Sequence, residues 1–192
     1  MVKSYTTEAI IINRFNYSEA DKILTLFTKD HGKLTAIAKG LRKPQSKRKG
    51  HLELFNHIRC QLIGSHAWDI LTEVETISNF TQNMSNVNGQ MSTVINSAYH
   101  FAELIDRLLP SHEPHPDIFD LLSKTLHSLC QMSIVNGQMS NIDSYFKHRL
   151  IRSLGFWPSD HTVPTDINAF IDSLLERPLK TSNGSLFTPL NS

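Results

Sequence analysis

The spacing of apolar residues changes once along this chain, near residue 76, and the change separates two kinds of predicted structure. Before it, short segments rich in β-branched residues alternate with turn signals such as Asp30-His31-Gly32. After it, apolar residues recur every three or four positions, which is the period of an amphipathic helix. We therefore predict an α+β protein in which a small β-domain precedes a helical bundle.

Five strands are predicted in the first part of the chain, with hairpin-length connections between most of them. They cover residues 5–14, 21–28, 33–39, 52–65 and 67–75. A sheet this small exposes two edges unless it closes on itself, so we expect a barrel. A five-stranded Greek-key barrel is the OB-fold, and strand count alone leaves an SH3-like barrel open as the alternative.

Four amphipathic helices are predicted in the second part, and helix-breaking residues mark their ends. Pro110 ends the first helix, Gly155 ends the third, and the fourth stops before Pro178. On the first helix, Glu103 is expected on the polar face, opposite the apolar residues. The hexapeptide Val-Asn-Gly-Gln-Met-Ser occurs twice, at 87–92 and 135–140, and is interpreted as two turns that lead into helices. The predicted organisation is a β-domain at 1–78, a helical domain at 79–180 and a flexible tail at 181–192.

Charge is distributed unevenly although the net charge is only +1. Residues 1–60 contain twelve Lys or Arg against five Asp or Glu, whereas residues 61–192 contain seven against thirteen. Six basic residues fall within the eleven positions 39–49, in a predicted flexible loop that contains no acidic residue. Such a loop matches a phosphate backbone, because each phosphate contact releases counterions. The candidate nucleic-acid contacts are Lys39, Arg42, Lys43, Ser46, Lys47, Arg48 and Lys49 in the loop, with Arg14, Lys22 and Lys33 on the strands.

Signals for catalysis, metals and cofactors are weak. The sequence contains no GxxxxGK[ST] phosphate loop, no GxSxG nucleophile elbow and no paired-carboxylate motif. Cys60 and Cys130 form no CxxC pair, and the stretch His112-Glu113-Pro114-His115 has no partner cluster at zinc spacing. We therefore expect no catalytic residues, no metal and no cofactor. Phe15 and Tyr17 are the aromatic side chains most expected to be exposed for base stacking.

The chain shows no sequence signal for a membrane or a secretory route. No apolar run approaches the ~20 residues that a membrane helix needs. The first residues also lack the apolar core of a secretory signal. We expect a cytoplasmic protein without membrane contacts.

Several strings of residues carry a resemblance to a known protein family. The most specific are SEADKILTLFT at 18–28, HGKL at 31–34 and AIAKG at 36–40. They resemble the RecO family of bacterial DNA repair and recombination-mediator proteins. The similarity resumes at 102–109 and 146–156, so it extends over nearly the whole chain. The resemblance implies an OB-fold followed by an α-helical domain, in a bacterial protein associated with the nucleoid.

The resemblance also implies a function and a set of partners. Members of the family bind single- and double-stranded DNA and anneal complementary strands, without bond-making chemistry. The implied protein partners are RecR, the acidic C-terminal tail of single-strand binding protein and, indirectly, the RecA recombinase. Many members carry a four-cysteine zinc module, but the matching stretch here, 159–166, has no cysteine. The resemblance therefore does not lead us to expect zinc in this chain.

Two alternative functions and one partner site stay open from the residues. An RNA-binding OB-fold adaptor is an alternative because phosphate contacts do not distinguish DNA from RNA. A nuclease is disfavoured because the sequence lacks a carboxylate cluster for its metal ions. In the helical part, Lys147, Arg149 and Arg152 are candidates for binding the acidic tail, next to Ile151 and Phe156. Attraction to the C-terminal end of the helix dipole explains these three cations equally well.

Overall fold

The computed structural model describes residues 4–83, 91–131, 138–157, 166–175 and 179. These residues fall into two compact units. The first unit contains the strands together with the segment Leu109–Pro116, and the second contains most of the helical residues. The predicted tail at 181–192 and the Asn-Gly pairs of the two hexapeptides lie outside the described residues.

The first unit is a closed barrel with the strand order β1-β2-β3-β5-β4. Neighbouring strands are antiparallel except β3 and β5, which run parallel where Ala36 pairs with Asp69. The predicted α+β class and the predicted OB-like barrel are confirmed. The strands are β1 (Ser4–Tyr17), β2 (Asp21–Thr28), β3 (Gly32–Ala38), β4 (His57–Ile63) and β5 (Asp69–Ser78).

Alternate positions of the strands fill the barrel interior with apolar side chains. Leu24 and Leu26 of β2 belong to the same buried cluster as Leu34 and Ala36 of β3. This alternation is the period of a strand with one face on a core. The barrel therefore has a core of its own. Each fully buried leucine in it contributes about 1.5–3 kcal/mol to folding.

The predicted strand 52–65 begins later than expected, at His57. Leu52 is buried, but its backbone N–H donates to the carbonyl of Arg48 in a turn, and Phe55 has a positive φ of 66°. The buried Asn56 side chain fixes this turn by donating to the carbonyls of Gly50 and His51. Apolar residues in this turn enter the core just as strand residues do, so the apolar pattern alone could not distinguish the two.

The segment Leu109–Pro116 lies against the turn between β2 and β3. The backbone N–H of His112 donates to the carbonyl of Lys33 at 2.9 Å, and Ser111 forms a parallel bridge with Lys33. Gly32 has a φ of +69°, and a Cβ atom at this position would lie 2.2 Å from the carbonyl oxygen of Glu113. Only glycine therefore fits where the segment meets the turn.

The helices bury the faces that their periodicity predicted. Val94, Ala98 and Phe101 are buried along one helix, and Ile118 and Leu122 along the next. One prediction on the first of these helices is wrong: Glu103, expected on the polar face, is only 7% exposed. The helices are α1 (Phe80–Asn83), α2 (Met91–Leu108), α3 (Pro116–Gln131), α4 (Gln138–Ser153) and α5 (Ile167–Leu174).

Local signals set two of the helix ends. The N–H groups of Gly155 and Phe156 donate to the carbonyls of Arg152 and Ile151, and Gly155 has a φ of 73°. This is a Schellman ending, and the predicted stop of α4 at Gly155 is confirmed. Asp166 caps α5 by accepting hydrogen bonds from two backbone N–H groups of its first turn. None of the described helices combines the length and the apolarity that crossing a bilayer requires.

Candidate nucleic-acid interface

The basic loop, residues 39–50, is attached to the turn between β1 and β2. The backbone N–H of Arg42 donates to the carbonyl of Ala20 at 2.9 Å, and that of Gly40 donates to Asp21 Oδ1 at 2.7 Å. The Leu41 side chain lies in the barrel core. The basic loop is therefore held at its start, in contrast to the freely flexible loop expected from its composition.

The basic side chains of the loop divide into exposed cations and an anchor. Arg48 is half-buried, and its guanidinium donates to the carbonyls of Leu71 and Lys39. Arg42 also donates to a backbone carbonyl, that of Ser18 at 2.7 Å, but its side chain stays exposed. Ser46 is half-buried, and the exposed cations of the loop are Lys39, Arg42, Lys43, Lys47 and Lys49.

Two strand residues join these cations electrostatically at one mouth of the barrel. Burial lowers the pKa of Lys22, and the positive charges of Arg14, Arg42 and Lys49 lower it further. Glu53 opposes this effect on the pKa and also forms an ion pair with Arg14 at 2.6 Å. Because Lys22 lies among three other cations, a bound anion would relieve their mutual repulsion.

Lys33 lies apart from this cluster. It is the second residue of β3, and the basic loop begins after the other end of that strand. At the rise of an extended chain, Lys33 is about 16 Å from Ala38. The structure therefore places Lys33 beside the segment Leu109–Pro116, and the other predicted barrel contacts at the mouth.

An aromatic pair lies at the same end of the barrel. Tyr17 is 43% exposed at the end of β1, and its ring meets that of Trp68 edge-on, with centroids 5.1 Å apart. Phe15, two residues earlier on the same face of β1, is 39% exposed. Sequence reasoning selected Phe15 and Tyr17 but not Trp68, because no local pattern links the β4–β5 connection to β1.

In the helical unit, the three predicted partner-binding cations are not on one surface. Lys147 is only 5% exposed, and its Nζ lies 2.6 Å from Asp143 Oδ2 and 2.7 Å from Asn168 Oδ1. Arg149 and Arg152 are exposed. The structure thus separates Lys147 from the other two.

The described residues contain no cluster of three or more His, Cys, Asp or Glu side chains that could hold a metal ion. Both cysteines are buried. Burial raises the pKa of the Cys60 thiol to about 12 and that of the Cys130 thiol to about 11. Both side chains are therefore protonated thiols that pack as small apolar groups.

Comparison with known proteins assigns both parts of the chain to one family. The family model "Recombination protein O N terminal" matches residues 1–80, and "Recombination protein O C terminal" matches residues 94–161. The chain belongs to the RecO family. The first RecO model ends close to the end of the barrel, and the second begins within α2. The first therefore corresponds mainly to the strands and the second to the helices.

Curated relatives named DNA repair protein RecO show the same similarity. The protein of Symbiobacterium thermophilum is 31% identical over 157 residues, which cover 81% of this chain and 58% of the relative. That of Heliobacterium modesticaldum is 32% identical, over 82% of this chain and 54% of the relative. That of Dehalococcoides mccartyi is 34% identical, over 80% and 57%. The chain thus spans little more than half the length of these RecO proteins.

Proposed function

We propose that this chain is a DNA-binding mediator of DNA repair and recombination, which acts by holding and aligning strands. The observation that carries the proposal is the set of exposed lysines on the basic loop. They lie next to Lys22 and Arg14 at the mouth of the barrel, where Lys22 is surrounded by other cations. A phosphate backbone fits this surface because it supplies negative charge at regular intervals. The relatives' common name, DNA repair protein RecO, supports DNA as the ligand.

Within this site the basic residues have different roles. Lys39, Lys43, Lys47 and Lys49 contact phosphates together with the outer edge of Arg42. Arg48 positions the loop, and Arg14 holds Leu52 just after it, because their guanidinium groups already donate to backbone carbonyls. Lys22 and the Ser46 hydroxyl supply secondary contacts to the DNA. Lys33 contributes only where a longer DNA strand passes along the barrel.

Annealing follows from phosphate binding without base readout. Two strands pair only when their phosphate repulsion is screened and their base edges stay free. A cationic loop on a small barrel meets both conditions. In this proposal the chain acts with RecR to place RecA on DNA that is coated by single-strand binding protein.

The direct test replaces two exposed lysines of the loop, Lys43→Ala with Lys47→Ala. We expect DNA affinity to fall for every sequence tested, and the slope of log affinity against log salt to flatten by about one unit per lost contact. Fluorescence anisotropy with labelled strands at several salt concentrations measures both quantities. The matched control is the double variant Arg149→Ala with Arg152→Ala, which removes two exposed cations from the helical unit.

Three results would contradict parts of this proposal. An unchanged salt slope in the loop variant would remove the basic loop from the DNA site. Tighter binding of RNA than of DNA by the wild-type chain would favour the RNA adaptor. Shortening of the labelled strands in the presence of Mg²⁺ would reveal a nuclease.

A second surface is proposed for the acidic tail of single-strand binding protein. Tyr145, Arg149 and Arg152 are exposed on α4 at spacings of four and three, which places them along one face of the helix. Tyr145 is 57% exposed, and Phe156, just after the helix, is 44% exposed. Cations between exposed aromatic rings suit a peptide that is acidic and ends in an apolar residue. Lys147 is left out of this surface because its ammonium is buried.

Titration with a peptide of that tail tests the surface. The Arg149→Ala, Arg152→Ala variant should lose peptide affinity while it anneals bare DNA at the wild-type rate. The loop variant should show the reverse pattern. Unchanged peptide affinity in the α4 variant would move the peptide site elsewhere and leave helix-dipole stabilisation as the role of these arginines.

A further inference from the structure

The rings of Tyr17 and Trp68 are brought together by two connections at one end of the barrel. Tyr17 ends β1, and the residue after it, Ser18, has a positive φ of 52° that starts the turn into β2. Trp68 directly precedes β5, whose first residue, Asp69, pairs with Ala36 near the end of β3. The β1–β2 and β4–β5 connections are the loops at which OB-folds take up oligonucleotides.

This aromatic pair is joined directly to the basic loop. Arg42 donates from its backbone to Ala20 and from its guanidinium to Ser18, both in the turn that follows Tyr17. A DNA strand whose phosphates follow the basic loop therefore passes beside the exposed ring of Tyr17. Positive charge next to an apolar ring matches a nucleotide, which carries a phosphate and a flat base.

We propose that Tyr17, supported edge-on by Trp68, stacks on one unpaired base and so gives this surface a preference for single-stranded over double-stranded DNA. The inference rests on the proposed DNA-binding function and adds to it the group that distinguishes the two forms. In a duplex the bases are already stacked on each other, so a ring at the surface gains nothing from them. In a single strand each base offers a free face.

The experiment compares Tyr17→Leu with Tyr17→Phe in the full chain. Stacking on one base predicts that Tyr17→Leu weakens binding of an oligothymidine about tenfold, whereas Tyr17→Phe keeps the ring and the affinity. Binding of a duplex of equal length should be unchanged in both variants. Because no phosphate contact is lost, the salt slope of Tyr17→Leu should equal that of the wild type. The matched control is Ile77→Ala, which removes an apolar side chain of nearly equal exposure, 44%, from near the other end of β5.

Trp68 supplies an independent signal. The chain has two tryptophans, so the substitution Trp157→Phe leaves Trp68 as the single source of tryptophan fluorescence. We expect oligothymidine to quench this emission and the duplex to leave it nearly unchanged.

The possible failures are distinguishable. If the Lys43→Ala, Lys47→Ala variant loses DNA affinity but Tyr17→Leu binds oligothymidine as the wild type does, the stacking contact is wrong and the basic site stands. Equal losses on single strands and duplex in Tyr17→Leu also overturn it. If the wild-type chain binds neither form of DNA, the proposed function and this inference fail together.

Discussion

At the scale of single residues, burial decides whether a basic side chain can meet a ligand. Lys147 and Arg149 are two positions apart on α4, yet the first is buried and the second is exposed. Arg48 in the basic loop is similarly held by the carbonyls of Leu71 and Lys39. Counting basic residues therefore overstates the charge that a partner can reach, both on the loop and on α4.

Replacing Lys147 by Met tests its structural role. The change removes the ammonium from Asp143 and Asn168, which lose a charged hydrogen-bond donor. We expect the free energy of unfolding to fall by about 2 kcal/mol, because hydrogen bonds to charged groups contribute about 1.5–3 kcal/mol. The Asp143 side chain is 32% exposed, and water offsets part of the loss. Urea denaturation followed by circular dichroism measures the change.

Arg149→Met is the matched control for this substitution. It removes an exposed cation from the same helix, so stability should change by no more than about 0.5 kcal/mol. If both variants unfold at the same urea concentration, Lys147 has no special structural role. The reason for leaving Lys147 out of the proposed tail-binding surface on α4 would then be removed.

At the scale of elements, close backbone contacts hold the connecting segments in place. The Leu109–Pro116 segment approaches Gly32 so closely that a side chain there would overlap the backbone of Glu113. The basic loop is held in a similar way, by hydrogen bonds from its backbone N–H groups to the Ala20 carbonyl and the Asp21 carboxylate. In both places a connection is fixed by residues far away in the sequence.

Gly32→Ala should therefore be costly. The new Cβ would lie 2.2 Å from a carbonyl oxygen, and the residue would have to keep a φ of +69°. We expect stability to fall by about 3 kcal/mol, as for strained backbone combined with a displaced segment. Gly50→Ala is the control, since a Cβ at Gly50 meets nothing within 4 Å. A Gly32→Ala protein as stable as Gly50→Ala would mean that the segment can move away at little cost.

At the scale of the whole molecule, the distribution of charge matters more than its total. The net charge is only +1, because an excess of basic residues up to residue 60 is balanced by acidic residues beyond it. In the proposed function, attraction to DNA therefore comes from the barrel mouth at short range. Such local attraction is weakened by salt over a length of about 8–10 Å at 0.1–0.15 M.

Strand annealing by the wild-type chain should follow this charge distribution. We expect annealing of complementary strands without nucleotide and in the presence of a metal chelator, with a rate that fades between about 0.1 and 0.3 M salt. The two complementary strands each carry one dye of a quenching pair. The rate is measured from the loss of fluorescence as annealing brings the two dyes together. A strict requirement for nucleotide, or a rate indifferent to salt, would contradict annealing by charge screening.

The sequence by itself determined the features that depend on neighbouring residues. Apolar spacing of two and of 3.6 residues separated barrel from helices, because each period matches the geometry of one backbone conformation. Gly155 marked the end of α4 through its freedom to adopt a positive φ. The composition of residues 39–49 marked the basic loop, and the strings at 18–28 and 36–40 marked the family.

Only the tertiary structure decided which of those residues act together. Strand register and barrel closure brought Trp68 to Tyr17, placed Lys33 away from the loop cations, and joined Arg14 and Lys22 to Arg42. Helix packing buried Glu103, which pairs with Arg107 at 3.2 Å, although its position in the helix period predicted exposure. These outcomes depend on contacts between residues distant in sequence, and a local pattern carries no information about such contacts.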